Sequence, residues 1–363
     1  MSVLLFIAML LILVVGHEFG HLVAAKAVGM RVLEFGIGFP PKLWSRPVGG
    51  TEYSVNALPF GGFVRIFGED ATEASNDARA FSNKPAFAQA VVIFAGPFTN
   101  ILLAFVFSTM ALLLGVTTVI DPEEGGAVPP DARVVVLNVL PDSPAHDAGI
   151  MRGDAVVAIA EKGVVQEIKA PGDIIPAVQE SSGALVVSVI RAKESLSFEV
   201  VPRTGIIEES PETLAIGLGT AFVGTLRLPF LSAVAEGFTR TIDNTIAVTL
   251  GIAGLIVQAF SLSADLTNVA GPVGIARLTG DAASYGAGSV LLFAAFISIN
   301  LGIINLLPFP ALDGGRLALL GAEAITRRKV PLSVANAINT AGFAILIILM
   351  ILVTAQDVAR LIS

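Results

Sequence analysis

The chain has 363 residues, of which 54% are hydrophobic and only 14% are charged. This apolar fraction exceeds that of ordinary soluble domains and predicts an integral membrane protein. A net charge of −8 gives no basic surface for nucleic acid, and the lack of cysteine excludes disulfides, thiolate metal sites and cysteine nucleophiles. Any metal site must therefore use nitrogen and oxygen ligands.

The first predicted span contains an H-E-x-x-H motif at residues 17–21, directly after the uninterrupted apolar run 3–15. On a helix, His17 and His21 lie one turn apart on the same face, so both imidazoles can bind one Zn²⁺ while Glu18 lies beside the open coordination position. Polar and charged groups cost free energy at bilayer depth, so the cluster indicates a functional site. The alternative is a chance motif in a helix that lines a protein interior.

A cleaved signal peptide is a second alternative for this segment, since small residues follow the apolar core. No Lys or Arg precedes that core, however, and cleavage would remove both histidines of the motif. The segment is therefore predicted to be a retained span.

Three further segments are free of charged residues and longer than the roughly 20 residues that a helix needs to cross a bilayer. They are residues 85–120, 282–312 and 330–356, and with the first segment they make four predicted spans. A fifth candidate, residues 244–264, is also uncharged, and its hydropathy alone does not dismiss it.

The positive charges of the short loops orient these four spans, because short cytoplasmic loops carry an excess of Lys and Arg. Such residues lie between spans one and two and between spans three and four: Arg31, Lys42, Arg46, Arg65, Arg79, Lys84, Arg316, Arg327, Arg328 and Lys329. With both loops in the cytoplasm, the third span ends near Asp313 on the same side as His17. A crossing by residues 244–264 would bring Asp313 to the opposite face, so this segment is predicted to be an amphipathic or re-entrant helix that does not span.

The loop between spans one and two has a strand-like pattern. Residues 34–41 and 51–66 combine alternating apolar residues with glycine pairs, which is typical of a β-hairpin. The alternative is a cytoplasmic loop lying on the lipid headgroups, because glycine-rich strands specify their pairing weakly.

A polar region at residues 130–203 separates spans two and three. It alternates strand-like runs, such as 133–140 and 184–190, with turns, and it predicts one small globular domain. His146 lies in a turn of this region and is predicted to be a surface residue of a short helix rather than a metal ligand, since the topology places it across the membrane from His17.

The end of the third span, residues 305–315, reads N-L-L-P-F-P-A-L-D-G-G. Pro308 and Pro310 cannot continue a helix, so they leave Asn305 and Asp313 on irregular backbone at membrane depth. Asp313 is the natural carboxylate to complete a His-His-Asp site whose fourth position holds water. The alternatives are that Asp313 is a helix N-cap and that Asn305 only satisfies the broken backbone.

The H-E-F-G-H motif in the first span, together with N-x-x-P-x-P-x-x-D-G-G in a late span, resembles the site-2 protease family of intramembrane zinc metalloproteases, particularly the bacterial regulator of sigma-E protease group. The resemblance covers nearly the whole chain. It includes G-P-F-T-N at residues 96–100, a PDZ-like core at 141–159 and N-L-G-I-I-N-L-L-P at 300–308.

The resemblance implies that His17, His21 and Asp313 bind Zn²⁺ and that Glu18 is the general base. It also implies that Asn305 holds the substrate backbone or the developing oxyanion, and that the loop after the first span is a membrane-associated β-hairpin. An exposed strand edge there could hold an extended substrate by strand addition. The residues expected to position substrate at that edge are Phe60, Gly61, Gly62 and Phe63.

The expected fold is a polytopic α-helical membrane protein with four transmembrane helices, the β-hairpin loop and one inserted extracytoplasmic PDZ-like α/β domain. The expected parts are an N-terminal membrane part at 1–120, the PDZ-like domain at 128–205, the non-spanning segment at 206–281 and a C-terminal membrane part at 282–363. The expected location is the bacterial inner membrane, with the active site towards the cytoplasm.

The expected partners are the lipid bilayer and single-span membrane protein substrates, without nucleic acid; the sequence leaves the oligomeric state open. Many proteobacterial relatives carry two PDZ domains, and this chain has room for one, which puts an anti-sigma-factor substrate in doubt beside signal-peptide remnants. A non-catalytic scaffold with a relic zinc site is the competing class, but a purely structural site has no use for Glu18. A transporter is disfavoured because inverted repeats are not visible.

Overall fold

The computed structural model describes residues 2–69, 76–120, 129–191, 193–207, 210–261, 270–328 and 330–362. It divides into a helical unit, Met1–Leu114 with Leu228–Ser363, and a β-rich unit, Gly115–Arg227. Within the described residues, five helices are long and apolar enough to cross a membrane, and all five belong to the helical unit. The chain is therefore an integral membrane protein with an inserted β-rich domain.

Nine α-helices are formed by the described residues. The helical unit contains α1 (Ser2–Ala27), α2 (Ala86–Leu114), α5 (Phe230–Phe260), α6 (Pro272–Ser284), α7 (Ala287–Leu306), α8 (Asp313–Thr326) and α9 (Leu332–Ile362), and the β-rich unit contains α3 (Pro144–Asp147) and α4 (Ile174–Gln179). Helix α2 packs against α1, α5 and α7. At Gly20, a side chain would overlap the backbone of Ala95 in α2, so the absence of a Cβ allows α1 and α2 to approach closely.

The loop between α1 and α2 forms a sheet from two long strands, β1 (Val32–Val48) and β2 (Thr51–Ile66). Each strand is folded on itself. Residues 34–37 pair with residues 62–65 on one side, and the two segments run in opposite directions. On the other side they pair with residues 52–55, which run in the same direction. Residues 42–48 pair with residues 51–56. The sheet therefore has four segments side by side instead of the two strands of the predicted hairpin, and segment 62–66 lies at one edge.

Glycine makes this folding possible. Gly38 has φ +78°, and a side chain there would lie 2.7 Å from Leu58 O, while Gly61 has φ +150°. Both backbone conformations favour glycine and allow each strand to turn away from its own continuation. The sequence pattern shows the glycines but not which turns they make.

The β-rich unit contains the antiparallel strands β3 (Val116–Ile120), β4 (Arg133–Val139), β5 (Ala155–Glu161), β6 (Val164–Glu167), β7 (Leu185–Arg191), β8 (Glu194–Val200) and β9 (Leu218–Leu226). Their order is β3-β9-β4-β5-β7-β8, and β6 pairs with β5. Alternate residues of β7, including Leu185, Val187 and Val189, are buried in the core of this unit. The sheet extends beyond the expected range 128–205, because β9 lies between β3 and β4.

Candidate metal centre

Three side chains from α1 and α8 bring their potential ligand atoms together. His17 Nε2 lies 3.0 Å from Asp313 Oδ2 and 3.2 Å from His21 Nε2, and His21 Nε2 lies 3.3 Å from Asp313 Oδ2. Ligands bound tetrahedrally about 2.0–2.1 Å from zinc are separated from one another by about 3.3 Å. The triangle of two nitrogens and one oxygen therefore has the size of one face of a zinc coordination shell.

Helix α1 places Glu18 next to this triangle. Its Oε2 accepts a hydrogen bond from the Val64 N–H of β2 at 3.1 Å. Glu18 also lines a cavity of about 120 Å³ together with all three triangle residues. The carboxylate thus borders a cavity beside the potential metal ligands.

A break in the helix after α7 positions Asp313. Helix α7 ends at Leu306, Ala311 has φ +71°, and Asp313 is the first residue of α8. At Gly314 and Gly315, side chains would overlap the carbonyl groups of the broken segment. The glycine pair of the D-G-G motif therefore lets α8 begin directly against this segment, so that Asp313 reaches the histidines.

One stripe of α2 completes the surroundings of the histidines. The Val92 carbonyl lies 2.7 Å from His21 Nδ1, and the Asn100 amide nitrogen lies 3.1 Å from His17 Nδ1. Between them, a methyl group on Gly96 would overlap His21 Nε2 and lie 2.8 Å from His17 Nε2. Gly96 therefore leaves space beside the ligand nitrogens, and the donor set and this space fit a zinc ion.

Sequence reasoning missed the roles of Val92, Gly96 and Asn100. Their spacing of four residues marks one face of a helix, and the G-P-F-T-N motif contains two of them. A backbone carbonyl and a missing side chain leave no signal of their own in the sequence.

An ion pair closes one side of the cavity. Arg316, one turn after Asp313 on α8, pairs with Glu69, and its guanidinium lies 5.7 Å from the centre of the Phe81 ring. All three residues line the cavity. Glu69 and Phe81 were not predicted to lie at the site, and Arg316 was predicted only as a basic residue of a cytoplasmic loop.

The predicted substrate-positioning residues differ in their distance from this centre. Gly62 lies against Glu18, since a side chain at Gly62 would lie 3.7 Å from Glu18 Cγ, whereas Phe60 is 58% exposed. Gly61 lies against the Phe39 ring, and the Phe63 ring covers Gly36. Asn305 is half-buried in the last turn of α7 and does not belong to the described lining of the cavity. His146, which was predicted to be a surface residue rather than a ligand, lies on the short helix α3 with an exposed side chain.

The number of potential ligands distinguishes a structural zinc site from a hydrolytic one. Structural sites are normally closed by four protein ligands, whereas hydrolytic sites use three and keep a position for water. Two histidines and one aspartate, with a glutamate alongside and helices able to cross a membrane, define an intramembrane zinc metalloprotease.

Comparison with known proteins gives the family. The model of Peptidase family M50 matches residues 5–349, and the chain belongs to this family. It is 30% identical over 441 residues to the regulator of sigma-W protease RasP of Bacillus subtilis, covering 99% of each chain. It is 29% identical over 441 residues to the zinc metalloprotease RasP of Oceanobacillus iheyensis, again covering 99% of each chain.

A solved structure matches part of the chain. The PDZ domain of the SdrC-like protein from Listeria innocua is 24% identical, and the match covers 24% of this chain and 92% of that chain with a TM-score of 0.20.

Proposed function

We propose that His17, His21 and Asp313 bind the zinc ion of this protease and that Glu18 is its general base, for hydrolysis of peptide bonds within or near transmembrane segments. The observation that carries the proposal is the triangle of ligand atoms with sides of 3.0, 3.2 and 3.3 Å. These three side chains would hold a zinc ion, which would lower the pKa of its water ligand and polarise the scissile carbonyl.

Glu18 performs the proton transfers in this scheme. Its carboxylate takes a proton from the attacking water and passes it to the leaving amine nitrogen. The hydrogen bond from Val64 N–H fixes the orientation of the carboxylate, and the cavity of about 120 Å³ leaves room for a water beside it. This position of the side chain supports the proposed role of Glu18.

Segment 62–66 lies at the edge of the sheet that β1 and β2 form in the loop after α1, here called the loop sheet. This edge supports substrate binding by strand addition. Residues 34–37 occupy one side of this segment. Its other side faces Glu18, since Val64 N–H points to the carboxylate. An extended substrate beside Gly62 would therefore lie next to the base, held by main-chain hydrogen bonds with little sequence preference. Phe63 belongs to this segment, and Phe60 and Gly61 directly precede it. We infer that these residues help to position the substrate, and that Asn305 holds the substrate backbone or the developing oxyanion.

Four helices cross the membrane in this proposal, and α5 does not. Leu228 N–H donates to Leu112 O at the end of α2, and a side chain at Gly280 of α6 would lie 2.5 Å from Ser2 Oγ at the start of α1. If both helices cross the membrane, the start of α1 and the end of α2 lie on the same side of it. The chain therefore leaves and returns on the same side between α2 and α7.

The geometry of α5 and α6 agrees with this count. Helix α6 has 13 residues and is about 20 Å long, which is short of the roughly 30 Å hydrocarbon core. Helix α5 runs obliquely to α2, since the Phe238 ring contacts the Phe105 ring, and Val248, ten residues later, still belongs to the buried cluster that contains Ala104, the residue before Phe105. A steeply tilted α5 suits a helix that lies partly in the membrane.

The basic loops support an orientation. The Lys and Arg residues around the sheet of β1 and β2 and around α8 favour the cytoplasm for both, and the β-rich unit, which we infer to be PDZ-like, would then lie outside the inner membrane of a bacterial cell. The substrates are single-span membrane proteins, such as anti-sigma factors or signal-peptide remnants. The name of the Bacillus subtilis relative, a regulator of sigma-W protease, is consistent with regulated intramembrane proteolysis.

Cleavage of a single-span substrate by the purified, zinc-loaded protein in detergent tests the proposal. We expect the wild type to cut within the span and Glu18→Gln to be inactive with unchanged zinc content. Glu236→Gln on α5, which makes the same chemical change on a half-exposed side chain paired with Arg240, is the matched control and should cut like the wild type. Equal cutting by Glu18→Gln would remove the assignment of the base.

A further inference from the structure

The second ring nitrogens of the two histidines have different partners on α2. His21 Nδ1 lies 2.7 Å from the Val92 carbonyl oxygen, whereas His17 Nδ1 lies 3.1 Å from Nδ2 of the Asn100 amide. A carbonyl oxygen only accepts, so His21 donates from Nδ1 and keeps Nε2 free for a metal. A side-chain amide offers both a donor and an acceptor, so its orientation decides what it does to His17.

The Asn100 amide has an unused acceptor. Asn100 is 0% exposed, and its Oδ1 has no hydrogen-bond partner in the described part of the chain. A buried acceptor without a partner destabilises the fold. The oxygen and nitrogen of an amide have nearly the same shape, so a half-turn of the group exchanges them without requiring more space. The half-turn brings Oδ1 to the position beside His17 Nδ1.

We propose that Asn100 is a positioning residue that holds His17 with its proton on Nδ1, so that Nε2 is available to Zn²⁺. The inference rests on the proposed role of His17 as a ligand. With the amide in this orientation, His17 Nδ1–H donates to Asn100 Oδ1, and the acceptor is no longer unpartnered. Ser298 Oγ of α7 donates to the Asn100 backbone carbonyl at 2.7 Å, which ties this turn of α2 to α7.

The stripe of α2 then acts as one device. Val92 and Asn100 each orient one imidazole, and Gly96 midway between them leaves the space beside the ligand nitrogens. Partners of this kind typically change metal affinity by about 10–100-fold when they are removed. The same loss is expected here when Asn100 loses its acceptor.

Zinc affinity of the full-length protein in detergent, measured by competition with a chromogenic chelator, tests the inference. We expect Asn100→Leu, which has a similar volume and no acceptor, to bind zinc about 10–100-fold more weakly than the wild type. Asn100→Asp keeps an acceptor in the same place and should retain affinity within a few-fold. Ser108→Ala, a change at another buried polar residue of α2, is the control for packing and should bind like the wild type.

His17→Ala separates failure of this inference from failure of the proposed function. Wild-type affinity in His17→Ala would remove the ligand assignment and this inference with it. Loss of zinc in His17→Ala together with wild-type affinity in Asn100→Leu would overturn the role of Asn100 alone. Equal losses in Asn100→Leu and Asn100→Asp would show that Asn100 acts through packing, which also overturns the inference.

Discussion

Asp154 is a buried charge that stabilises the β-rich unit. It is 1% exposed, and its carboxylate accepts hydrogen bonds from Arg191 at 2.7 Å and from Met151 N–H at 2.9 Å. Burial raises the pKa of the Asp154 carboxyl, but the bonds from Arg191 and Met151 outweigh it and hold this pKa below its ordinary value. The charged form is therefore favoured by folding.

Asp154→Asn should lower the free energy of unfolding of this unit by about 1.5–3 kcal/mol at neutral pH. Because the folded pKa is lowered, the stabilisation is complete above the unfolded pKa of about 3.9 and is lost as the pH falls through the folded pKa. The urea midpoint of proteolysis of the β-rich unit should thus differ between wild type and variant at pH 7 and converge under acid. The exposed Asp142→Asn should follow the wild type, and a pH-independent difference for Asp154→Asn would contradict this account.

At the residue scale, the sequence predicts side chains better than it predicts backbone. Helical spacing predicts that His17 and His21 share one face of a helix. The prolines before Asp313 predict irregular backbone there, on which Asp313 was expected either to complete the site or to cap the next helix. Val92 acts through its backbone carbonyl, which every residue possesses, and Gly96 acts through its lack of a side chain. These positions depend on how α1 and α2 pack, and that information is spread over the whole interface.

Gly96 connects the residue scale to the packing of α1 and α2. Alanine favours a helix over glycine by roughly 1 kcal/mol, so Gly96→Ala should not weaken α2 itself. Its methyl group would overlap His21 Nε2 and force the imidazoles apart. We therefore expect Gly96→Ala to remain folded and to lose most of its zinc, as measured by the metal content of the purified protein.

Gly254→Ala on α5 is the matched control for this prediction. A methyl group there meets no atom of the described residues within 4 Å, so zinc content should be unchanged. Wild-type zinc content in Gly96→Ala would show that the space beside Gly96 is not needed by the metal.

The elements differ in how far the sequence predicts them. The helices α1, α2, α7 and α9, which are long and apolar enough to cross a membrane, follow from long uncharged segments, because a bilayer imposes a minimum length on such segments. The pairing of β1 and β2, in which each strand bends back on itself, does not follow from the sequence pattern, because it depends on the backbone conformations of glycines. Strand β9 was not anticipated in the sheet either, because glycines at 219 and 224 weaken its strand pattern and its partner β3 lies about a hundred residues earlier.

At the scale of the whole molecule, the metal centre restricts the topology. The potential ligands come from α1 and from the segment directly after α7, so the end of α7 must reach the depth of His17. If α1 crosses inward, α7 must also run inward. The chain between α2 and α7 then makes an even number of crossings, and hydropathy, which scores each helix alone, does not contain this constraint.

The lack of cysteine allows a direct test of this topology, because single-cysteine variants have no background. We expect Ser284→Cys, at the end of α6, and Ser195→Cys, in the β-rich unit, to react with an impermeant maleimide in intact spheroplasts. Ser82→Cys, before α2, should react only after permeabilisation. If α5 crossed the membrane and the chain did not return before α7, residue 284 would lie on the same side of the membrane as residue 82. Labelling of Ser284→Cys only in permeabilised cells would therefore replace four spans by five and separate the start of α7 from the side where α1 begins.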